Sequence, residues 1–504
     1  MIFDGEKEPR ALDEVFDYVI VGSGAAGAAA ARVLADTGAS LAVVEEGPAV
    51  TTADFGDRVL PAFKRIYRDM GFQTAQGRAT IPVVQGSCLG GTTVVNSGIV
   101  WRLPEDVWEP WQTEYGLGDA LPLERLHQYW DQLERELAVA PTPPEIWGEN
   151  NRLLEAASRR LGVSAMPVQR YAAGCRGSAR CSLGCPHGAK QSMLVSYLPY
   201  ASERGALLFT SARVDRILLQ GERAVGVTGY FHVSQFKRNL APFTLRARKG
   251  VLVAASAIQT PLLLANSGVR SAHLGRHFQG HPGAGLAGVF DEEVNLWSGA
   301  TQGFETDEHR VKGRFKIEAL SLPPELVLAR LPGVGRAWVA NMAQAGHLAL
   351  WAVQLRTYAE GSVWRGRLGN TIRFEPTPRD MQNLRRGLRF TAELLFAAGA
   401  REVITGIHGL PERLTSPDQA RLLEDGPADP ACYSLALTHL FGTARMSVRP
   451  TEGVVGTDFG VHGTRGLYVI DSSLFPTNLG VNPQHTIMAI AMHAANQIAE
   501  RGRI

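Results

Sequence analysis

Cysteine is scarce in this chain: there are five, Cys88, Cys175, Cys181, Cys185 and Cys432, in 504 residues. A low, odd count in a chain of this length argues against a disulfide framework. Long apolar runs are missing as well. No stretch reaches the ~18 uncharged apolar residues that a membrane span needs, and the opening MIFDGEKEPRALDE has no apolar core of a secretory signal. A cytoplasmic location is therefore the expectation. Net charge is nearly absent too: 51 Lys and Arg against 49 Asp and Glu leave +2, which is no electrostatic footprint for nucleic acid. The local basic runs RARKG and NLRRGLR read as solvated faces. No internal repeat or low-complexity tract appears. What remains, 45% hydrophobic and 20% charged residues, is the composition of an ordinary globular protein. The length allows two domains, or one large domain with an insertion.

Against that plain background stands FDYVIVGSGAAGAAAARVLADTGASLAVVEEGP. The run from Phe16 to Val21 predicts a buried parallel strand. It leads into Gly22, Gly24 and Gly27, spaced GxGxxG, and then into an alanine-rich helix. In this motif the first glycine permits the tight turn, the second lets the backbone approach a pyrophosphate, and the third lets helix and strand pack closely. Ser23, Ala25 and Ala26 complete the loop, whose helix N-terminus offers free N–H groups to phosphate. A second strand, Leu41 to Val44, ends at Glu45, which can accept hydrogen bonds from ribose hydroxyls. Strand, loop, helix and acid in register predict a dinucleotide site, without choosing between NAD and FAD.

The other end of the chain carries reaction chemistry. His439 lies in LTHLFGTARM and Asn482 in NPQHTIMAIA, with the strand-like GLYVIDSSLFPTN and its Asp471 between them. A general base and a hydrogen-bond donor are what alcohol oxidation needs. His485 is the competing base, one turn along the same predicted helix. If both ends serve one site, the nucleotide domain is assembled from distant segments. The middle supports this: residues 207–228 read as strands around a turn, and Val251 to Ala254 reads as a strand before a helix opening at Thr260–Pro261. From about 286 to 431 the texture changes. GRFKIEALSL and NTIRFEP predict antiparallel strands with one wet face, and RDMQNLRRGLRFTAELLFAAGA predicts a helix ending at Gly399. The expected architecture is α/β: a Rossmann-like domain from 14–285 and 432–504, with 105–200 as an excursion across it. An α+β substrate domain with a mainly antiparallel sheet fills 286–431.

QGSCLGGTTVVNSG, residues 85–98, is a second glycine-rich segment in which Gly90 and Gly91 allow close approach and Thr92, Thr93 and Asn96 offer donors. The order GSGAAG, LGGTTVVN, TPLLLANSG, GRHFQGHP, HLFGT, VIDSSLFPT and NPQHT resembles the glucose–methanol–choline oxidoreductases from about residue 15 to 500. The resemblance selects FAD. It implies that Glu45 holds the adenosine ribose, that Val214 contacts adenine through its backbone, and that Asp471 lies against the ribityl or diphosphate. It also implies that Asn96 and its glycine neighbours follow the isoalloxazine. The helix starting near Asn482, Pro483, Gln484 and His485 would aim its N-terminus at the flavin. Ser87 stands where many members carry a basic residue, and residues 85–98 hold no histidine, so the FAD is expected to be non-covalent. The resemblance makes His439 the base and Asn482 its partner, with the carbinol hydrogen passing as hydride to flavin N5.

The run CRGSARCSLGCPHGAKQS is similar to cysteine loops in bacterial sugar dehydrogenase catalytic subunits of that family, and partly to those of long-chain alcohol oxidases and aminoglycoside oxidases. Clustered thiolates suit a metal or iron–sulfur group, so Cys175, Cys181 and Cys185 are expected to ligate a [3Fe–4S] cluster, with buried, redox-inert cysteines as the alternative. Cys88 and Cys432 read as core residues. The implied activity is FAD-dependent oxidation of a small-molecule alcohol to an aldehyde or ketone. A polyol, sugar or aminosugar is the first expectation, and a long-chain or sterol alcohol the second. A non-redox lyase on the same fold is the alternative from another class. Electrons would leave to oxygen, another acceptor or an electron-transfer partner subunit.

Overall fold

The computed structural model describes residues 1–233, 238–367 and 369–502. The strand Leu12–Val21 founds the first sheet. It lies parallel to Leu41–Val44 on one side and to the end of Arg238–Val253 on the other, with Val21 opposite Val44 and Val253. Leu207–Thr210 joins beyond Leu41–Val44, and Leu467–Val469 joins Arg238–Val253, both parallel. Val19, Ile20, Ala42, Val43, Val251 and Leu252 are buried, as expected of parallel strands covered on both faces. Arg223–Val233 and Ala212–Gln220 extend the sheet as an antiparallel pair. A Rossmann-like sheet is thus drawn from segments more than four hundred residues apart in the chain.

The helices Ala25–Ala35 and Gln484–Arg501 pack against each other beside this sheet. Ala28, Ala29, Ala30 and Ala31 meet Ala491, Ala494 and Ala495 in one core, and such small side chains let two helices approach closely. The helix expected to open at Thr260–Pro261 begins earlier, at Ser256, and runs to Asn266 with Pro261 inside it. An internal proline leaves the carbonyl four residues back without its helical donor. Here that carbonyl belongs to Ala257, and the Thr443 hydroxyl donates to it at 2.6 Å. A tertiary contact that the local sequence does not announce makes the proline tolerable.

The second sheet is antiparallel at every pairing between its named strands. Its order is Arg413–Leu414, Glu402–Ile404, Gln279–Val289, Leu348–Leu355, Phe315–Ala319, Phe304–Thr306 and Met166–Pro167, with Ala436–Phe441 also on Gln279–Val289. Gln279–Val289 crosses the expected boundary at 285, and the segment from 432 first gives a strand to this sheet before returning to the other. The helix Pro378–Ala398 covers one face. It starts on a Thr377–Asp380 capping box and stops at Gly399, whose φ of 106° is open to glycine.

Two readings of the middle need correction. The strand Phe315–Ala319 has no wet face: all five residues are buried, Lys316 and Glu318 included. Its charged side turns inward, where the site below satisfies it. Within the excursion, Leu123–Glu136 does pack on Gln484–Arg501, but Glu149–Leu161 packs on Pro378–Ala398, with Leu154 and Ala157 in the second core. Among the described residues no helix is long and apolar enough to cross a membrane.

Replacing Thr443 with valine keeps shape and removes the donor to the Ala257 carbonyl. An unsatisfied buried carbonyl costs about 1–3 kcal/mol, so Thr443→Val is expected to lower the thermal unfolding midpoint; an unchanged midpoint would mean that another donor takes over.

Candidate functional site

One cavity of about 910 Å³ is walled by residues of both sheets. On the nucleotide side, Gly22, Ser23, Gly24, Ala25 and Ala26 line it. A Cβ built on Gly24 meets nothing within 4 Å, so the missing side chain widens the cavity there. One built on Gly27 would sit 1.9 Å from the Gly22 carbonyl oxygen, so Gly27 is a packing residue and lies off the wall. The helix Ala25–Ala35 starts at Gly24 without a side-chain cap, and its positive end opens on the cavity.

Glu45 is buried on the same wall. Its carboxylate accepts from the Ser23 hydroxyl at 2.6 Å and from the N–H groups of Ser23 and Gly47 at 3.2 and 2.8 Å. Burial outweighs these hydrogen bonds and pushes its pKa up. Val214, Gly91, Thr92 and Asn96 are also on the wall, and the Asn96 amide donates to Gln484 Oε1 at 2.6 Å. Gly90 sits behind it, donating to the Ser23 hydroxyl at 3.0 Å. Asp471 accepts from the Ser256 N–H, the Thr260 hydroxyl and the Ser473 N–H, and so ties the start of the helix Ser256–Asn266 to its own turn on the wall. Two buried amide atoms on this wall, Gln85 Oε1 and Gln259 Nε2, have no protein partner. A long cavity with a helix N-terminus, glycine loops and orphaned polar atoms fits an extended dinucleotide.

Asn482, Pro483 and Gln484 lie on the wall where the uncapped helix Gln484–Arg501 begins. His485 does not. Its side chain is fully buried, Nδ1 lies 2.6 Å from the Tyr171 hydroxyl, and Nε2 lies 3.2 Å from Glu134. Both ring nitrogens are engaged away from His439, and His485 is not among the residues that line the cavity.

His439 faces His281 across the pairing of Ala436–Phe441 with Gln279–Val289, and their Nδ1 atoms are 3.1 Å apart. The Gly480 N–H donates to His281 Nε2 at 3.0 Å. A neutral His281 therefore carries its hydrogen on Nδ1, which faces His439 Nδ1 and also lies 3.3 Å from the Gln354 side-chain amide. Burial brings the pKa of His439 down to about 4, with Glu318 pulling it up and Lys316 pushing it down. Burial, with His439 beside it, holds His281 well below the ordinary histidine range. Both rings are neutral at pH 7.

Beneath this pair lies a charged group that the sequence reading missed. The Lys316 ammonium, fully buried, donates to Glu305 Oε2 at 2.5 Å, Glu318 Oε1 at 2.6 Å and Asn482 Oδ1 at 2.6 Å. The Trp101 indole N–H donates to the other Glu305 oxygen at 2.8 Å, and the Gln302 amide donates to the other Glu318 oxygen. Burial opposes the charge on Lys316, but Glu305 and Glu318 outweigh it and hold its pKa above the ordinary lysine range. The available signal was the alternation Lys316, Ile317, Glu318 inside an apolar strand, which reads equally as a solvated face.

The cysteine loop departs from its expectation. Among the described residues no group of three or more His, Cys, Asp or Glu side chains is placed to hold a metal ion. The buried Arg170 guanidinium lies between Cys181 Sγ at 3.2 Å and Cys175 Sγ at 3.8 Å, and the space left beside the three thiols is about 10 Å³. That is room for about one water, not for a cluster. Lys190 closes the other side, its ammonium donating to the carbonyls of Val94, Asn96 and Cys181. Burial works against a Cys181 thiolate, but Arg170 and Lys190 outweigh it and bring the thiol below its ordinary range. Cys88 is in a core, as expected, and Cys432 is half-buried at the edge of another.

The models described as GMC oxidoreductase match residues 16–283 and 365–491. A GMC-type oxidoreductase of Mycobacterium tuberculosis (strain ATCC 25618 / H37Rv) is 37% identical over 484 residues, covering 95% of this chain and 75% of its own length. A long-chain-alcohol oxidase of Arabidopsis thaliana is 27% identical, with 96% and 67% covered. The paromamine 6'-oxidase of Streptomyces fradiae is 27% identical, with 98% and 93% covered. A formate oxidase from Aspergillus oryzae superposes with a TM-score of 0.75 at 16% identity, covering 97% of this chain and 99% of its own, a likeness of fold alone. The chain belongs to the GMC oxidoreductases, a family of FAD-using flavoenzymes.

Proposed function

We propose that this enzyme oxidises the CH–OH group of an alcohol to a carbonyl, with His439 as general base and Asn482 as the donor that orients the substrate oxygen. The observation that carries this reading is a neutral imidazole and a side-chain amide on one wall of a single cavity that also reaches the glycine loops. Bound FAD supplies the acceptor for the two electrons and the carbinol hydrogen. Glu45, the Gly22–Ala26 loop, Val214 and Asp471 are the residues we assign to its nucleotide end, and Asn96, Gly91, Thr92 and Gln484 to its ring end. His281 Nδ1 lies 3.1 Å from His439 Nδ1, so a substrate hydroxyl that donates to that nitrogen takes the place of His281 there. Asn482 then holds the oxygen while the proton leaves.

The cavity wall favours an alcohol with a large apolar part. Leu322, Leu326, Val327, Leu331, Ile404 and Ile407 line it, and an apolar lining of this kind rewards burial of a hydrocarbon chain by roughly 0.8 kcal/mol per methylene. The long-chain-alcohol oxidase relatives agree with that reading. A polyol, sugar or aminosugar is the second reading. It is supported by the polar group Gln302, Glu318 and Gln354 on the same wall and by the paromamine 6'-oxidase relative.

Under anaerobic conditions the flavin of the purified enzyme is expected to bleach with long-chain primary alcohols at lower concentration than with sugars or aminosugars. The reverse order would favour the second reading, and no bleaching with any alcohol would remove both. His439→Ala is expected to slow flavin reduction by about 10²–10⁴, the usual worth of a general base. A base neutral above pH 4 works at every higher pH, so kcat/KM is expected to fall only as the pH drops through about 4; a loss of activity already complete at pH 6 would contradict this assignment. Iron and acid-labile sulfide analysis of anaerobically isolated enzyme is expected to find flavin without stoichiometric iron, whereas one cluster per flavin would mean that Arg170 vacates its place among the thiols.

A further inference from the structure

The buried ammonium of Lys316 makes three hydrogen bonds, and the third has a consequence for the reaction. An ammonium can only donate. Of the two ends of the Asn482 amide, only Oδ1 can therefore sit 2.6 Å from Lys316 Nζ. Amide orientation is often ambiguous and must be settled by the surrounding donors and acceptors; here a cation settles it. The Nδ2 end is turned away from Lys316. Asn482 lines the cavity at 8% exposure, and its Nδ2 has no hydrogen-bond acceptor among the described residues.

The cation cannot drift from this position. Glu305 Oε2 and Glu318 Oε1 take its other two hydrogens, and each carboxylate is held in turn by Trp101 or Gln302. The Trp101 ring lies 5.4 Å from Nζ, a further attraction for a cation. Lys316 and Glu318 come from a strand of the second sheet and Glu305 from its neighbour, whereas Asn482 comes from the loop that opens the last helix. The network thus fixes a side chain of one domain by a rigid group of the other.

We infer that Lys316 is a positioning residue: by holding Asn482 Oδ1 it presents the amide N–H₂ to the cavity as a donor and prevents the flipped amide, which would present an acceptor. The inference rests on the assignment of Asn482 as the substrate-orienting donor. In the flipped state the substrate oxygen would meet a lone pair, and the proton transfer to His439 would lose its alignment. A small misplacement of a reacting group can cost about 10²-fold in rate.

The test is a double-mutant cycle on anaerobic flavin reduction by one alcohol that bleaches the wild-type enzyme, using Lys316→Met, Asn482→Ala and the pair. Lys316→Met is expected to lower the limiting rate of flavin reduction by about 10²-fold and to leave the absorbance of bound flavin unchanged. In the Asn482→Ala background the same change is expected to have no further effect. An equal loss in both backgrounds would overturn the inference, because Lys316 would then act otherwise than through Asn482. Should Lys316→Met fail to fold around its two carboxylates, Lys316→Met/Glu305→Gln removes one carboxylate with the cation, and the same cycle is run with it. Failure of the wider functional reading looks different: the wild-type flavin would not bleach with any alcohol.

Discussion

The Lys316 ammonium sits where the two domains meet, and its three hydrogen bonds bind them at the point where chemistry is expected. Two acceptors belong to the antiparallel sheet and one to the loop that starts the last helix. Placing one cation and two carboxylates out of water is costly. Replacing a buried ion pair by apolar groups is often neutral, or stabilising by about 1–4 kcal/mol. Such a group contributes direction more readily than stability. In this site the direction reaches Asn482, and through it the cavity beside His439.

The same logic extends to the histidine pair. Gly480, in the loop before Asn482, donates to His281, and His281 in turn meets His439. The loop Gly480–Asn482 therefore sets the proton position of the histidine pair and carries the amide that Lys316 orients. Burial keeps both rings neutral. A base that is neutral far below pH 7 is always ready to accept a proton, at the cost of a weaker driving force once it holds one. Glu318, which pulls the His439 pKa upward, supplies part of the compensation.

Much of the nucleotide half was legible in the sequence because its residues serve the backbone. Strand, glycine turn, helix and Glu45 are consecutive, and each follows from local geometry: Gly27 packs where no Cβ fits, and Gly24 opens the wall. Gln484–Arg501 and the stop at Gly399 were legible for the same reason. What the sequence concealed depends on contacts across the chain. Pro261 reads as a helix start until Thr443 is seen to serve the Ala257 carbonyl. Lys316 and Glu318 read as a wet face because alternation records two faces and not which solvent each meets. Cys175, Cys181 and Cys185 read as ligands because their spacing does not reveal Arg170 between them. The resemblance already prefers His439 to His485 as the base, but the sequence does not reveal that Tyr171 and Glu134 hold His485 off the cavity wall.

In the proposed reaction a carbinol C–H bond breaks at the wall formed by His439 and Asn482 while its electrons reduce the flavin. Rapid anaerobic mixing of the enzyme with an alcohol and with the same alcohol deuterated at the carbinol carbon tests this most directly. Slower flavin bleaching with the deuterated substrate, a primary isotope effect on the reduction step, is the predicted result. Turnover in which the flavin stays oxidised, with no dependence on the carbinol hydrogen, would contradict the account.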